Sequence, residues 1–356
     1  MKLSHKPRFL IARLSAIGDC IHTLPLANAL RKHFPRCHIT WLVQQGPAAP
    51  LLSAQKSIDH LWLLPKNWLR RPREAWHLRK QFRQYHFDVA FDAQSLTKSS
   101  AALWLSGCPN RIGFAKGQGR EIAPWLNNHL VKPKQEHVVE KYLELLAPLN
   151  LKETTTVDFD IHIPLSAHQK MESYLANNFP AGHFALVNVG AGWESKLWPY
   201  NRYAQVAQNL WDKHQLPSLI VWAGKKEFDL AQTIQKEAPP AVTLAPKTDL
   251  LELGALARRA TFFLGSDTGP LHLAAAVGAR CVGLYGPTLP TICGPYGQQN
   301  ISLQVFYQYG NRKQRKGRDN RAMQAITTEM VLGACYKIIG EPPQKHGSSD
   351  ESSNAA

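Results

Sequence analysis

The same order of signals runs twice along the chain: a short apolar run, a loop, a helical stretch, then another short apolar run. Phe9–Ala12 reads as a buried strand, Leu14–Asp19 as a loop, and Cys20–His33 as a helix with Ile21, Leu24, Leu30 and Phe34 at helical spacing. Ile39–Val43 and Val89–Phe91 read as further strands, with Glu74–Tyr85 a charged helix between them. After Pro164 the order restarts with strand Phe184–Val189, loop Gly190–Pro199, helix Arg202–Lys213, strand Leu219–Trp222, helix Phe228–Lys236 and strand Val242–Leu244. Helix Leu250–Arg258, strand Thr261–Leu264, helix Pro270–Val277 and strand Cys281–Leu284 complete it. Such alternation specifies parallel sheets covered by helices, so the expected fold class is α/β with two Rossmann-like domains facing across a cleft. The chain has 356 residues and 44% hydrophobic content, enough for two cores of ordinary domain size and little more.

The expected domains are residues 1–164 and 165–326, followed by a helix within 327–340. The tail 341–356, rich in Ser, Pro and Gly, has too little apolar content to fold and is expected to be disordered. Open parallel sheets bind ligands outside the carboxyl ends of their strands, so function is sought in the loops that follow strands.

The 42 Lys and Arg outnumber the 26 Asp and Glu, giving a net charge of +16. That excess favours polyanionic partners: phosphorylated substrates, an anionic membrane surface or nucleic acid. The six cysteines are scattered singly, without C-x-x-C or a zinc-like histidine spacing, so a reducing cytosol is the natural reading and no metal site is expected. The basic start Met1–Pro7 runs into too short an apolar stretch for a signal peptide, and no apolar run approaches the ~20 residues of a membrane span.

Gly265-Ser266-Asp267-Thr268-Gly269-Pro270-Leu271-His272 follows a strand and opens an alanine-rich helix, with Pro270 in its first turn. Asp267 or Thr268 can cap that helix, Gly269 lets backbone approach a ligand, and free N–H groups with the helix dipole favour a phosphate. A well-capped helix with no ligand fits the same residues. Ser15-Ala16-Ile17-Gly18-Asp19 sets a carboxylate at the mouth of the cleft, suited to a general base on a sugar hydroxyl or to capping the Cys20 helix.

Taken together, several blocks resemble the ADP-heptose:lipopolysaccharide heptosyltransferases, glycosyltransferase family 9. These are Leu10–Asp19 followed by His22-Thr23-Leu24-Pro25, then Asp92–Ser99, then Lys196-Leu197-Trp198-Pro199, then Ser266–His272 with Tyr285-Gly286-Pro287-Thr288. They occur in the family's order over nearly all the chain, and the Asp92-Ala93-Gln94 block with Lys98 resembles heptosyltransferase I most. The resemblance implies a GT-B fold and an inverting transfer without metal or other cofactor, the acceptor on the first domain and the nucleotide on the second. By position Asp19 matches the catalytic base. Lys196, Glu227, Ala245, Asp267, Thr268, Gly269 and His272 match donor-binding positions. On the acceptor side the resemblance adds Arg13, matches Lys98 and Arg120 to basic positions, and sets Lys66, Arg70, Arg71 and Arg73 as a basic loop in the region where the family has one; arginine forks suit carboxylates and phosphates. His22 and His272 also read as hydrogen-bonded structural histidines. The implied partners are ADP-heptose, a Kdo–lipid A acceptor and the cytoplasmic face of the inner membrane, reached by electrostatic contact without an amphipathic membrane helix, and no specific nucleic acid.

Two departures stand out. Ala191 and Gly192 occupy places where heptosyltransferase I has hydroxyl side chains near the donor phosphate, and the basic run Asn311–Arg321 has no recognised family counterpart. It reads as a solvated loop or an anionic-membrane contact. Other classes fit less well. A dinucleotide oxidoreductase requires G-x-G-x-x-G where the first loop has only Gly18, and Gly190–Lys196 lacks the Gly-Lys-Ser/Thr of a P-loop. A basic, non-catalytic nucleic-acid- or nucleotide-binding protein would explain the charge, but no helix-turn-helix, zinc finger or RNP pattern is present. A transferase using another nucleotide-sugar or a later core acceptor shares every feature read so far.

Overall fold

The computed structural model describes residues 3–119, 121–151 and 157–340. The first sheet contains β1 (Arg8–Ala12), β2 (His38–Gln44), β3 (His60–Leu64), β4 (Val89–Asp92), β5 (Asn110–Phe114) and β6 (His129–Val131), in the order β3-β2-β1-β4-β5-β6. The second contains β7 (Ala185–Asn188), β8 (Ser218–Val221), β9 (Val242–Leu244), β10 (Phe262–Ser266), β11 (Cys281–Leu284) and β12 (Ile301–Leu303), in the order β12-β11-β10-β7-β8-β9. Counted from its own first strand, each sheet has the same order, and its neighbouring strands are parallel. In each, the order reverses between two central strands, β1 and β4 or β7 and β10, which opens a crevice at their carboxyl ends.

Alternation along the strands divides the first domain into two layers. Leu10, Ala12, Leu42 and Ala90 pack outward on Trp68, Leu78, Phe82, Ala102 and Leu103 from the 3-10 turn Trp68–Arg70 and the helices Pro72–Arg83 and Thr97–Leu105. Phe9, Ile11, Trp41 and Phe91 face the other way, onto the first helix, Ile17–His33. That inner core does not stop at the domain boundary: it runs on through Ile161 and Ile163 to Leu253, Leu256, Leu271 and Leu273 of the second domain. A separate core covers the far side of the second sheet, and the helix Thr328–Ile339 closes it with Val331, Ala334, Cys335 and Ile338.

Contact between domains centres on two helix starts. The first helix packs against Gly269–Ala276, and a Cβ added to Gly18 would lie 2.6 Å from His272, while one added to Gly269 would lie 2.7 Å from Ile17. Glycine is required at both because each backbone touches the other domain. Polar bonds extend the seam, from Thr291 to Glu136 at 3.1 Å, Tyr296 to Glu140 at 3.1 Å, and His137 with the Gly294 carbonyl at 3.1 Å.

The strands expected at Val242–Leu244 and Cys281–Leu284 occupy those residues, and most others shift by one or two positions at their ends. The first helix starts at Ile17 rather than Cys20, so Asp19 lies in its first turn instead of in the preceding loop. The stretch after Leu284, read as irregular, contains β12 and the short helices Pro290–Cys293, Arg312–Arg315 and Arg321–Gln324. The tail 341–356 lies outside the described residues. No helix among the described residues is long and apolar enough to cross a membrane.

Candidate active site

At the crevice of the first sheet, Asp19 is held from two sides. Arg13 Nη2 lies 2.6 Å from Asp19 Oδ2, and the Ala16 N–H donates to the same oxygen at 3.2 Å. The carboxylate keeps 42% of its side-chain surface exposed, whereas the Arg13 side chain keeps 8%. Arg13 is itself fixed: Nη1 donates to the Ala93 carbonyl at 2.8 Å, and the guanidinium sits 5.2 Å from the centre of the Tyr142 ring. Burial opposes its charge, but Tyr142 and Asp19 more than offset this and its pKa is raised. Gln94 Oε1 accepts from the Leu14 N–H at 2.7 Å, pinning the loop that leads to Asp19. The Asp92-Ala93-Gln94 block thus works as scaffolding, with the Asp92 carboxylate buried and accepting from the Ser95 N–H at 2.7 Å and from Asn127 at 3.1 Å.

The corresponding crevice of the second sheet holds a carboxylate of the opposite kind. Asp267 is 5% exposed and has both oxygens engaged, Oδ2 with Lys196 Nζ at 2.6 Å and Oδ1 with His272 Nε2 at 2.8 Å. Burial alone would raise its pKa, but the His272 hydrogen bond and the Lys196 charge hold it well below the carboxylate range. Lys196 also donates to the Asp267 carbonyl at 2.9 Å, which fixes the ammonium beside the start of the helix Gly269–Ala276. Thr268 takes the N-cap position without a side-chain cap bond; its hydroxyl accepts from Asn188 Nδ2 at 3.3 Å instead. The first N–H groups of that helix therefore lack a side-chain cap, beside a lysine, which is an anion-binding arrangement.

Glu227 lies in the first turn of the helix Gly224–Glu237, accepts from the Ala223 N–H at 2.7 Å, and is raised in pKa by burial. Its carboxylate rests on Gly190, where an added Cβ would come within 2.1 Å of it. Ala245 is buried, its N–H donates to Ile220 and its carbonyl accepts from the Trp222 indole at 2.9 Å, so its backbone offers a ligand only the second lone pair of that carbonyl.

Three expectations take a different form in the structure. Arg13, placed with the acceptor contacts, is buried under Asp19 and spent on it and Ala93. Gly269, read as making room for a ligand, makes room for Ile17. Asp267, read as a cap or donor contact, holds Lys196 and His272 with its two oxygens. Of the residues expected on the acceptor side, Lys98 is exposed in the first turn of Thr97–Leu105, Arg70 ends the turn Trp68–Arg70, Arg73 is exposed, and Arg71 pairs with Glu74 at 2.7 Å. Arg120 lies outside the described residues.

The basic run is not a free loop. Arg318 pairs with Glu194 at 3.2 Å, Arg315 donates to Tyr307 at 3.0 Å, and Ser195 donates to the Arg315 carbonyl. Lys316 lies 5.1 Å from the centre of the Trp193 ring, which Lys196 approaches to 4.5 Å, so a second cation stands by the loop that carries Lys196. Sequence reasoning missed this, because residues 120 positions apart carry no joint signal.

The two crevices meet through Gly18 and His272. Behind them His22 is buried with both ring nitrogens unpartnered, its ring centre 4.2 Å from that of His272 and 6.0 Å from that of His137. Among the described residues no group of three or more His, Cys, Asp or Glu is arranged to hold a metal ion.

Residues 75–323 match the profile of Glycosyltransferase family 9 (heptosyltransferase). Lipopolysaccharide heptosyltransferase 1 of Escherichia coli K12 is 28% identical over 312 residues, covering 83% of this chain and 92% of that one. Lipopolysaccharide heptosyltransferase 3 of the same strain is 26% identical over 336 residues, covering 91% and 96%. The E. coli heptosyltransferase WaaC, solved with ADP-2-deoxy-2-fluoro heptose, superposes with a TM-score of 0.75 at 23% identity, over 93% of this chain and 99% of that one. With its two Rossmann-like sheets the chain has the GT-B fold, and it belongs to glycosyltransferase family 9, the heptosyltransferases.

Proposed function

We propose that this enzyme transfers heptose from ADP-L-glycero-β-D-manno-heptose to the Kdo region of the lipid A inner core, by one inverting displacement that uses no metal. The observation that carries the reading is the junction of the two crevices: Gly18, beside the half-exposed Asp19, touches His272, beside the anion-binding helix start. An acceptor hydroxyl attacks the anomeric carbon and its proton passes to the Asp19 carboxylate. As the new C–O bond forms, the bond to the ADP oxygen breaks and ADP leaves with the electron pair. Lys196 and the N–H groups of Gly269 and Leu271 take up the charge that develops on the diphosphate, with Lys316 close by; Glu227 is suited to accept from the ribose hydroxyls. Arg13 positions Asp19, and Asp267 positions Lys196 and His272. Lys98, Arg70, Arg73 and Arg120 supply cations for acceptor carboxylates and phosphates. The lipid acceptor implies work at the cytoplasmic face of the inner membrane by peripheral contact.

A later core acceptor is the second reading, favoured by the comparable identity to heptosyltransferases 1 and 3. The test is transfer from ADP-heptose to Kdo₂–lipid A and to a heptosylated core acceptor, with EDTA, for the wild type and Asp19→Ala. Transfer to the first acceptor that survives EDTA and falls by about 10²–10⁴ in the variant, with ADP still bound, supports the reading. Transfer to the heptosylated acceptor alone selects the second reading, and loss of wild-type activity in EDTA overturns the metal-free displacement.

A further inference from the structure

The outer layer of the first domain carries what a monotopic membrane surface needs. Three adjoining helices each expose a tryptophan: Trp76 on Pro72–Arg83, Trp104 on Thr97–Leu105, and Trp125 on Ala123–Leu126, at 60%, 51% and 83% exposure. The helices pack on one another, with Arg83 against Gly107 just beyond the Trp104 helix, and Leu78, Ala102 and Leu126 all rest on the same core. None of the three indoles is needed for that core. Single exposed apolar residues are ordinary, but three of the largest side chains on neighbouring helices of one layer are not.

The charges around them are mostly positive. Arg73, Lys80, Arg83 and Lys98 are exposed on these helices, and Lys80 lies 5.9 Å from the centre of the Trp76 ring. Of the acidic residues there, Glu74 is tied to Arg71 and Glu121 accepts from the Thr97 N–H at 3.1 Å. Indole rings among cations match the interface of an anionic bilayer, where the ring enters the headgroup region and the cation meets phosphate. The layer faces away from the second domain, because the inner side of the first sheet carries the shared core. Its near edge holds Lys98 and the basic turn at Arg70, on the acceptor side of the site. The basic run Asn311–Arg321 is instead held on the donor loop.

We propose that Trp76, Trp104 and Trp125, with the cations between them, dock this enzyme on an anionic lipid bilayer, so that the acceptor is met in the membrane plane. The inference rests on the acceptor being a lipid, as read above. The test is co-sedimentation of the whole chain with phosphatidylcholine vesicles containing phosphatidylglycerol, at low and high salt. The wild type is compared with the triple variant Trp76→Ser/Trp104→Ser/Trp125→Ser and with Lys80→Glu, alongside transfer to a deacylated, water-soluble acceptor. The expected result is a loss of about tenfold or more in vesicle partitioning for the triple variant, a smaller loss confined to low salt for Lys80→Glu, and unchanged transfer to the soluble acceptor. Equal partitioning of the triple variant and the wild type overturns the proposal, as does wild-type binding that high salt abolishes entirely. Self-association lost in the triple variant, with no vesicle binding by the wild type, assigns the face to a second copy and also overturns it. A wild type that transfers to no acceptor yet binds vesicles through the tryptophans sinks the transferase reading and leaves the docking face standing.

Discussion

Both sheets place an aspartate at the crevice where their strand order reverses, and the two aspartates have opposite surroundings. Asp19 sits half-exposed over a buried arginine, with one of its oxygens held. Asp267 is buried, and each of its oxygens holds a side chain. A carboxylate that must receive a proton needs an open oxygen and a fixed position, which is the Asp19 arrangement. One that must hold a cation and an imidazole in place needs neither solvent nor a free lone pair. The same residue type, after the first strand of one sheet and the fourth strand of the other, is thus left half open in one case and spent on the protein in the other.

The largest effect that would break this contrast is on stability. Asp267→Ala leaves Lys196 without its buried partner and is expected to cost about 3–5 kcal/mol in denaturant unfolding. Loss of activity without loss of stability would mean that Asp267 acts on substrate instead. Next comes Arg13→Ala, which frees Asp19 to move: kcat is expected to fall by about 10²-fold, with Arg13→Lys recovering part of it and the KM for the donor unchanged. A change in acceptor KM alone would return Arg13 to the acceptor contacts. Third, Gly269→Ala forces the new methyl against Ile17 and is expected to lower stability by about 1–3 kcal/mol, recovered in part by Ile17→Ala, measured as a double-mutant cycle of melting.

The smallest effect is in pH. Burial, reinforced by the neighbouring His272 and His137, holds His22 well below the ordinary histidine range despite Asp267 nearby, and burial lowers His137 against the pull of Glu140. The unfolded chain takes up protons at these two positions as pH falls through about 6.5, while the folded one takes them up only at lower pH. Stability is therefore complete above that pH and declines below it, by about 1.4 kcal/mol per pH unit for each group at most. Melting at pH 7.5 and 5.5 checks this; His22→Phe is expected to flatten the slope, and an unchanged slope would locate the dependence elsewhere.

Much of the fold is legible because buried parallel strands read as short apolar runs, as Phe262–Leu264 and Cys281–Leu284 do. The strands passed over are edge or interrupted ones: β3, β6 and β12 are edge strands and only partly buried, and β5 contains Gly113, against which Asn127 packs. The start of the first helix escapes notice because Gly18 is a poor helix former, kept there by contact with His272 in the other domain. The candidate site divides along the same line. Asp19, Lys196 and the turn at Thr268 stand out as local motifs, but the tasks of Arg13, Gly269 and Asp267 depend on neighbours up to 252 residues away, such as Ile17 beside Gly269, and no local pattern carries that information.

The apolar core that crosses from the first sheet to Leu253 and Leu271 makes each half of the chain a missing wall for the other. A hybrid built by joining the first half of one relative to the second half of another will inherit mismatched surfaces at Ile17, Gly18, Gly269 and His272, so exchange of donor or acceptor preference between relatives has to carry both helices together. For the same reason a protease that cuts between residues 151 and 165 should release no stable half. The two crevices can be told apart by their chemistry, but they are inherited, and lost, as one piece.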